Sequence, residues 1–193
     1  DAYRNWLAKQ LLDTRYLQEV TATLTAQAYI TTDLDDNQIT AFHPGAMDHS
    51  HINVVPTDAG ITLGMVSADG RQGMIEHARQ FADAGIPFVF DPGQGLPMFD
   101  GADLRNFIEL ASWVAVNDYE GQMLQERTGW TEQEIARRVD ALIVTRGAKG
   151  STVFAGGEQI AIPAVTATEV RDPTGCGDAY RAGILYGLLN GMS

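Results

Sequence analysis

Trp113-Val114-Ala115-Val116-Asn117-Asp118-Tyr119-Glu120 is a short apolar run that passes directly into polar, helix-forming sequence, with helical turns expected over residues 119–127. A strand made only of apolar residues suits a sheet that is covered on both faces, the usual setting of parallel strands. The same alternation extends outward in both directions. Upstream, residues 61–66 and 86–90 read as strands, with helices over 74–84 and near 104–110; downstream, 142–145 reads as a further strand. Strands alternating with helices define an α/β core around a mostly parallel sheet. Thr131 followed by Glu134 has the spacing of a capping box for a helix through residue 139. Residues 151–154 and 159–162, joined by 155–158, suggest a hairpin, and a helix follows over 179–189.

The first part of the chain differs from this core. Residues 3–12 read as a short helix with Trp6, Leu7 and Leu11 on one side. Residues 25–32 and 38–42 read as two strands joined by the polar turn 33–37, a hairpin.

Bulk properties narrow the classes of function. The chain has 193 residues, 45% hydrophobic and 20% charged, enough for one domain with a sizeable core. No apolar run approaches the roughly 18 to 20 residues that span a bilayer, and the first residues lack the pattern of a signal peptide. The expectation is a soluble, cytoplasmic protein without a membrane partner. One cysteine, Cys176, leaves neither an internal disulfide nor a thiolate metal cluster. A net charge of -12 repels polyphosphate backbones, and Arg137 and Arg138 sit among Glu132, Glu134 and Asp140, so nucleic acid is not expected as a partner.

The stretch richest in chemistry is Asp172-Pro173-Thr174-Gly175-Cys176-Gly177-Asp178, immediately before the last helix. Two glycines let backbone approach an oxyanion, and a helix starting there points unpaired N–H groups at it. Asp178, beside that anion hole, is placed to receive the proton of a hydroxyl attacking a phosphate. The plainer alternative is a tight turn with an aspartate at a helix start. Asn117 and Glu120, three apart, share one side of a first helical turn, or else are simply an N-cap and a first-turn acid. Asp91-Pro92-Gly93-Gln94-Gly95 follows a strand, where open α/β sheets commonly bind ligands. GxGxxG spacing is absent there, which argues against a dehydrogenase. His49 and His51, with Asp48 adjacent, form a candidate metal set.

The stretch at 172–178 resembles the C-terminal signature of the PfkB-type carbohydrate kinases, the ribokinase family. Asn117 and Glu120 resemble that family's Asn-x-x-Glu motif, and Thr145, Gly147 and Gly150 its Thr-x-Gly-x-x-Gly turn; the early hairpin is similar to strands of its lid. The resemblance implies a three-layer ribokinase-like α/β fold, one domain over residues 1–193 with a lid over about 21–47. It implies ATP and Mg2+ as cofactors and a nucleoside or sugar hydroxyl as acceptor. Asp178 would be the general base, with Gly175, Cys176 and Gly177 as the anion hole; Thr174, Asn117, Glu120, Thr145, Gly147 and Gly150 would surround the nucleotide. Glu120 would hold magnesium through water, and Asp172 stands where the family often keeps a monovalent cation, making K+ a candidate. Cys176 replaces the usual alanine and reads as a bystander.

The family's opening strands and last helices have no counterpart, so the fold is expected to be incomplete at both ends. The hairpin, the run through His43, Pro44 and Gly45, and Cys176 are most similar to the prokaryotic adenosine-kinase-like branch, making a nucleoside the first choice of substrate. A free-sugar kinase of ribose or fructose type is the alternative, and a non-catalytic nucleotide-binding remnant is the alternative of another class. The lid also implies a homodimer.

Overall fold

The computed structural model describes residues 2–34, 38–169 and 175–192. Asp172, Thr174 and the turn residues 35–37 lie outside the described residues.

Six strands form the main sheet in chain order: β3 (Gly64–Val66), β4 (Phe88–Phe90), β5 (Trp113–Asn117), β6 (Ala141–Thr145), β7 (Ser151–Ala155) and β8 (Glu158–Ile162). β3 to β6 run parallel, while β7 and β8 are antiparallel additions. Before them come α1 (Ala2–Lys9) and a separate antiparallel pair, β1 (Gln27–Thr32) and β2 (Gln38–His43). α2 (Arg71–Asp83), α3 (Gly101–Leu110) and α4 (Asp118–Thr128) connect the parallel strands, with α5 (Glu132–Ala136) before β6 and α6 (Cys176–Leu189) after β8.

Strand pairing explains the core. Val66, Phe90, Val114, Leu142 and Phe154 share one face through successive register partners, and they pack with Met74, Leu104, Phe107, Leu124 and Ile135 from α2 to α5. Phe107 stacks on Phe90 at 4.5 Å and meets Phe99 edge-on at 5.0 Å, favourable ring geometries. Val89, Ala115 and Ile143, pointing to the other face, are buried as well, which accounts for the unbroken apolar runs.

Boundaries moved where local chemistry overrode pattern. The strand expected over 61–66 pairs only from Gly64, whose N–H bonds the carbonyl of Pro87; Pro87 has no N–H with which to extend the ladder. α2 starts three residues before the expected Met74 and takes Gly73 into the helix. A Cβ there would stand 2.0 Å from Ser50 Oγ, because the 3-10 segment Gly45–Ile52 lies against it. α5 ends at Ala136, short of 139, and the chain turns so that Asp140 N–H reaches Ser112 O at 2.7 Å as β6 begins beside β5. α6 begins at Cys176, before the expected 179.

Candidate functional site

β5 and β6 end level, Asn117 beside Thr145, at the carboxyl edge of the sheet, where β4 stops opposite Val114; this is the side where open α/β folds bind ligands. Asp91 follows β4, with its N–H held by Val66 O at 2.9 Å. Asn117 ends β5 and caps α4: its Oδ1 accepts from Glu120 N–H at 2.7 Å, and Glu120 Oε2 accepts from Asn117 N–H at 2.8 Å. The plainer reading of this pair therefore describes its geometry, a full capping box. The box also buries Glu120 and fixes its carboxylate beside Asp91 and Arg181. Burial, followed by the Asn117 N–H pulling the other way and repulsion from Asp91, leaves the Glu120 carboxyl above its ordinary value.

Thr145 ends β6, paired with Asn117 on one side and Ser151 on the other. The following turn is a 3-10 segment, Gly147–Lys149, with Gly147 at φ +55° and Gly150 at φ +89°. A Cβ on Gly150 would stand 2.0 Å from Ile162 O, so β8 closes against this turn. Arg146 is engaged there: its guanidinium reaches Glu132 at 3.3 Å and Thr152 Oγ1 at 3.2 Å.

α6 brings the signature residues to the same edge. Gly175 is its N-cap in the left-handed region, φ +79°, with no side-chain cap, so the first amides of the helix are left to other acceptors. Cys176, Gly177 and Asp178 follow in the exposed first turn. Two contacts of the next residues place that turn. Tyr180 shares a 2.7 Å hydrogen bond with Ser151 at the start of β7. Arg181 makes a two-point ion pair with Asp91, Nη2 to Oδ1 at 2.9 Å and Nε to Oδ2, and its Nη2 lies 3.7 Å from Glu120 Oε2. Burial works against the Arg181 charge, but the hydrogen bond and attraction of Asp91, with Glu120 and Asp178, outweigh it and hold its pKa above the ordinary value.

The structure thus brings Gly175, Cys176, Gly177, Asp178, Asn117, Glu120, Thr145, Gly147 and Gly150 to one edge of the sheet. Asp91 is visible in the sequence only as part of a strand-end loop, and the one trace of Arg181 is that it is the single cation among residues 179–189. A cleft of about 70 Å3 lies beside them, lined by residues including Gln94, Asn117 and Glu120. A larger cavity of about 550 Å3 sits at the opposite end of β7, against Gln133, Arg137, Phe154 and Glu158, remote from the glycines and acids of the site.

His49 and His51 stand on the segment Gly45–Ile52 with ring centroids 6.3 Å apart. Among the described residues no group of three or more His, Cys, Asp or Glu side chains is arranged to hold a metal by itself. Among them, too, no helix is long and apolar enough to cross a membrane.

Comparison with known proteins places the family and the fold. A nucleoside kinase of Methanocaldococcus jannaschii is 34% identical over 167 residues, 86% of this chain and 55% of that protein. The Burkholderia thailandensis nucleoside kinase, solved with inosine, superposes with a TM-score of 0.95 at 53% identity, over all of this chain and 64% of that one. Its complex described as ADP-inosine gives 0.91 at 54% identity, covering 97% of this chain and 59% of that one. The chain therefore spans between about half and two thirds of the length of these relatives. The pfkB family of carbohydrate kinases matches residues 1–193, and the chain belongs to that family.

Proposed function

We propose that this chain carries the phosphotransfer machinery of an ATP-dependent kinase whose acceptor is a hydroxyl of a nucleoside. The observation that carries the reading is the placement of α6: its uncapped, glycine-led N-terminus and Asp178 sit at the carboxyl edge of the parallel strands. The relative solved with ADP and inosine, at 54% identity, supports both the donor and the acceptor class.

In the proposed reaction the acceptor oxygen attacks the γ-phosphorus of ATP. Its O–P bond forms as the bond from the γ-phosphorus to the bridging oxygen breaks, and ADP leaves with that electron pair. Asp178 takes the hydroxyl proton, giving a phosphorylated nucleoside, ADP and a protonated carboxyl. The amides at 175–177 receive the negative oxygens of the transferring group, a role that depends on preorganised donors rather than on base strength.

Magnesium fits the donor set in one way. Oxygen ligands suit it, and it usually keeps several waters and borrows phosphate oxygens. Glu120, buried at the strand edge with one oxygen committed to the Asn117 N–H, would hold it through water rather than in a protein cage. When bound, the ion supplies neutralising charge on the phosphates. Thr145, Gly147 and Gly150 are proposed to border the nucleotide, with Thr174 and, for K+, Asp172 among the residues not described.

A single kinase domain over residues 1–193, with a lid over about 21–47, accompanies this reading. Pairing of two copies through β1 and β2 is proposed as well. Register puts Tyr29, Ala41 and Ile39 on one face and Ala28, Ile30 and Phe42 on the other, and the large side chains are exposed. An isolated two-stranded ribbon is marginal in water, and an apolar partner would cover it.

The test is an acceptor panel: ADP release from ATP and magnesium with inosine, adenosine, ribose and fructose. Stimulation by nucleosides is the expected result. Stimulation by free sugars alone would replace the nucleoside assignment, and stimulation by none would leave a non-catalytic nucleotide binder.

A further inference from the structure

We propose that Arg181 is a positioning residue for phosphoryl transfer, one that locks the first turn of α6 onto the ends of β4 and β5 and so aims the anion-hole amides and Asp178. This rests on the reading of α6 given above.

The guanidinium is held by groups that are themselves fixed. Asp91, which takes it in a two-point grip, follows β4 directly and is pinned through its N–H to β3. Glu120, on its other side, is locked by the capping box of α4. The side chains of Arg181, Asp91 and Glu120 are only 14%, 7% and 11% exposed, so solvent screens the cluster weakly. A planar fork meeting a carboxylate at two points fixes orientation as well as distance, which a single ammonium does not.

The anchor also reaches the proposed catalytic turn itself. Arg181 lies one helical turn after Gly177, and its Nη1 stands 2.9 Å from where a Cβ on residue 177 would be. The guanidinium thus crosses the space that glycine leaves open in the first turn of α6. Asp178 is close enough to contribute to the attraction on Arg181, so one cation serves three carboxylates from three elements.

The polar ties of α6 lie at its start, where Tyr180 bonds Ser151 and Arg181 grips Asp91 beside Glu120. Small displacements matter at such a site, since misplacement by about 1 Å costs on the order of 100-fold in rate.

The experiment compares the full chain with Arg181→Gln and Arg181→Lys, reading kcat and KM for ATP and nucleoside together with amide hydrogen exchange. For Arg181→Gln the expectation is a fall in kcat of about 10- to 100-fold with little change in either KM. Exchange should be faster across residues 176–181, with the amides of β5 and β6 as protected as in the wild type. Arg181→Lys, which keeps the charge without the fork, should recover only part of kcat. Wild-type kcat in Arg181→Gln would overturn the proposal, as would full recovery by lysine or exchange that rises equally through the sheet, the mark of general destabilisation. If the wild type turns over no acceptor, the kinase reading fails separately, and the exchange pattern alone then decides whether Arg181 holds the turn.

Discussion

At the scale of single residues, the site places charge where burial makes it costly. Glu120 illustrates this: burial raises its carboxyl pKa from 4.5, although the Asn117 N–H and Arg181 favour the ionised form. Folded Glu120 therefore holds its proton more tightly than the unfolded chain does. Its contribution to stability is complete below 4.5 and is lost as pH rises through the raised folded value. Thermal unfolding of wild type and Glu120→Gln across that range should show the wild type losing ground to the variant as pH increases; a constant difference would mean that the carboxyl titrates alike in both states. Much of this residue chemistry was legible, because Gly175, Gly177 and Asp178 are contiguous and Asn117 and Glu120 share a turn. The Asp91–Arg181 pair was not, since the two are 90 residues apart and only the docking of α6 joins them.

At the scale of elements, caps and turns set the boundaries. Thr131 and Glu134 close a complete capping box on α5, as their spacing suggests, and neither is among the residues assigned to the site. Thr131→Ala should therefore cost about 1 kcal/mol in denaturant unfolding and leave nucleoside-dependent turnover unchanged. A loss of turnover with stability intact would mean that α5 takes part in the site. Strand identity was readable from apolar runs, but strand length was not: β3 shrinks to three residues because its neighbour is led by Pro87. The 3-10 segments Gly45–Ile52 and Gly93–Met98 have no periodic signature, as each is held by its surroundings rather than by its own pattern.

At the scale of the whole molecule, the sheet and its helices form the well-buried part, while β1 and β2 stand apart with exposed aromatic and aliphatic side chains on both faces. If this ribbon joins two copies, sedimentation at micromolar concentration should give twice the monomer mass, and Ile39→Glu should return the monomer. A monomeric wild type would remove the lid dimer. The α/β order was plain from the alternation of strands and helices, and the ribbon from its Thr-, Tyr- and Phe-rich strands. The convergence of four separated segments on one edge of the sheet needed the three-dimensional fold.

The central claim is that Asp178, at the start of α6, takes the acceptor proton during phosphoryl transfer. The most direct measurement is nucleoside-dependent ADP production by wild type and Asp178→Asn, with melting temperature recorded for both. The expected result is turnover by the wild type that falls by about 100- to 10,000-fold in the variant at unchanged melting temperature. Equal turnover by the two proteins would contradict it.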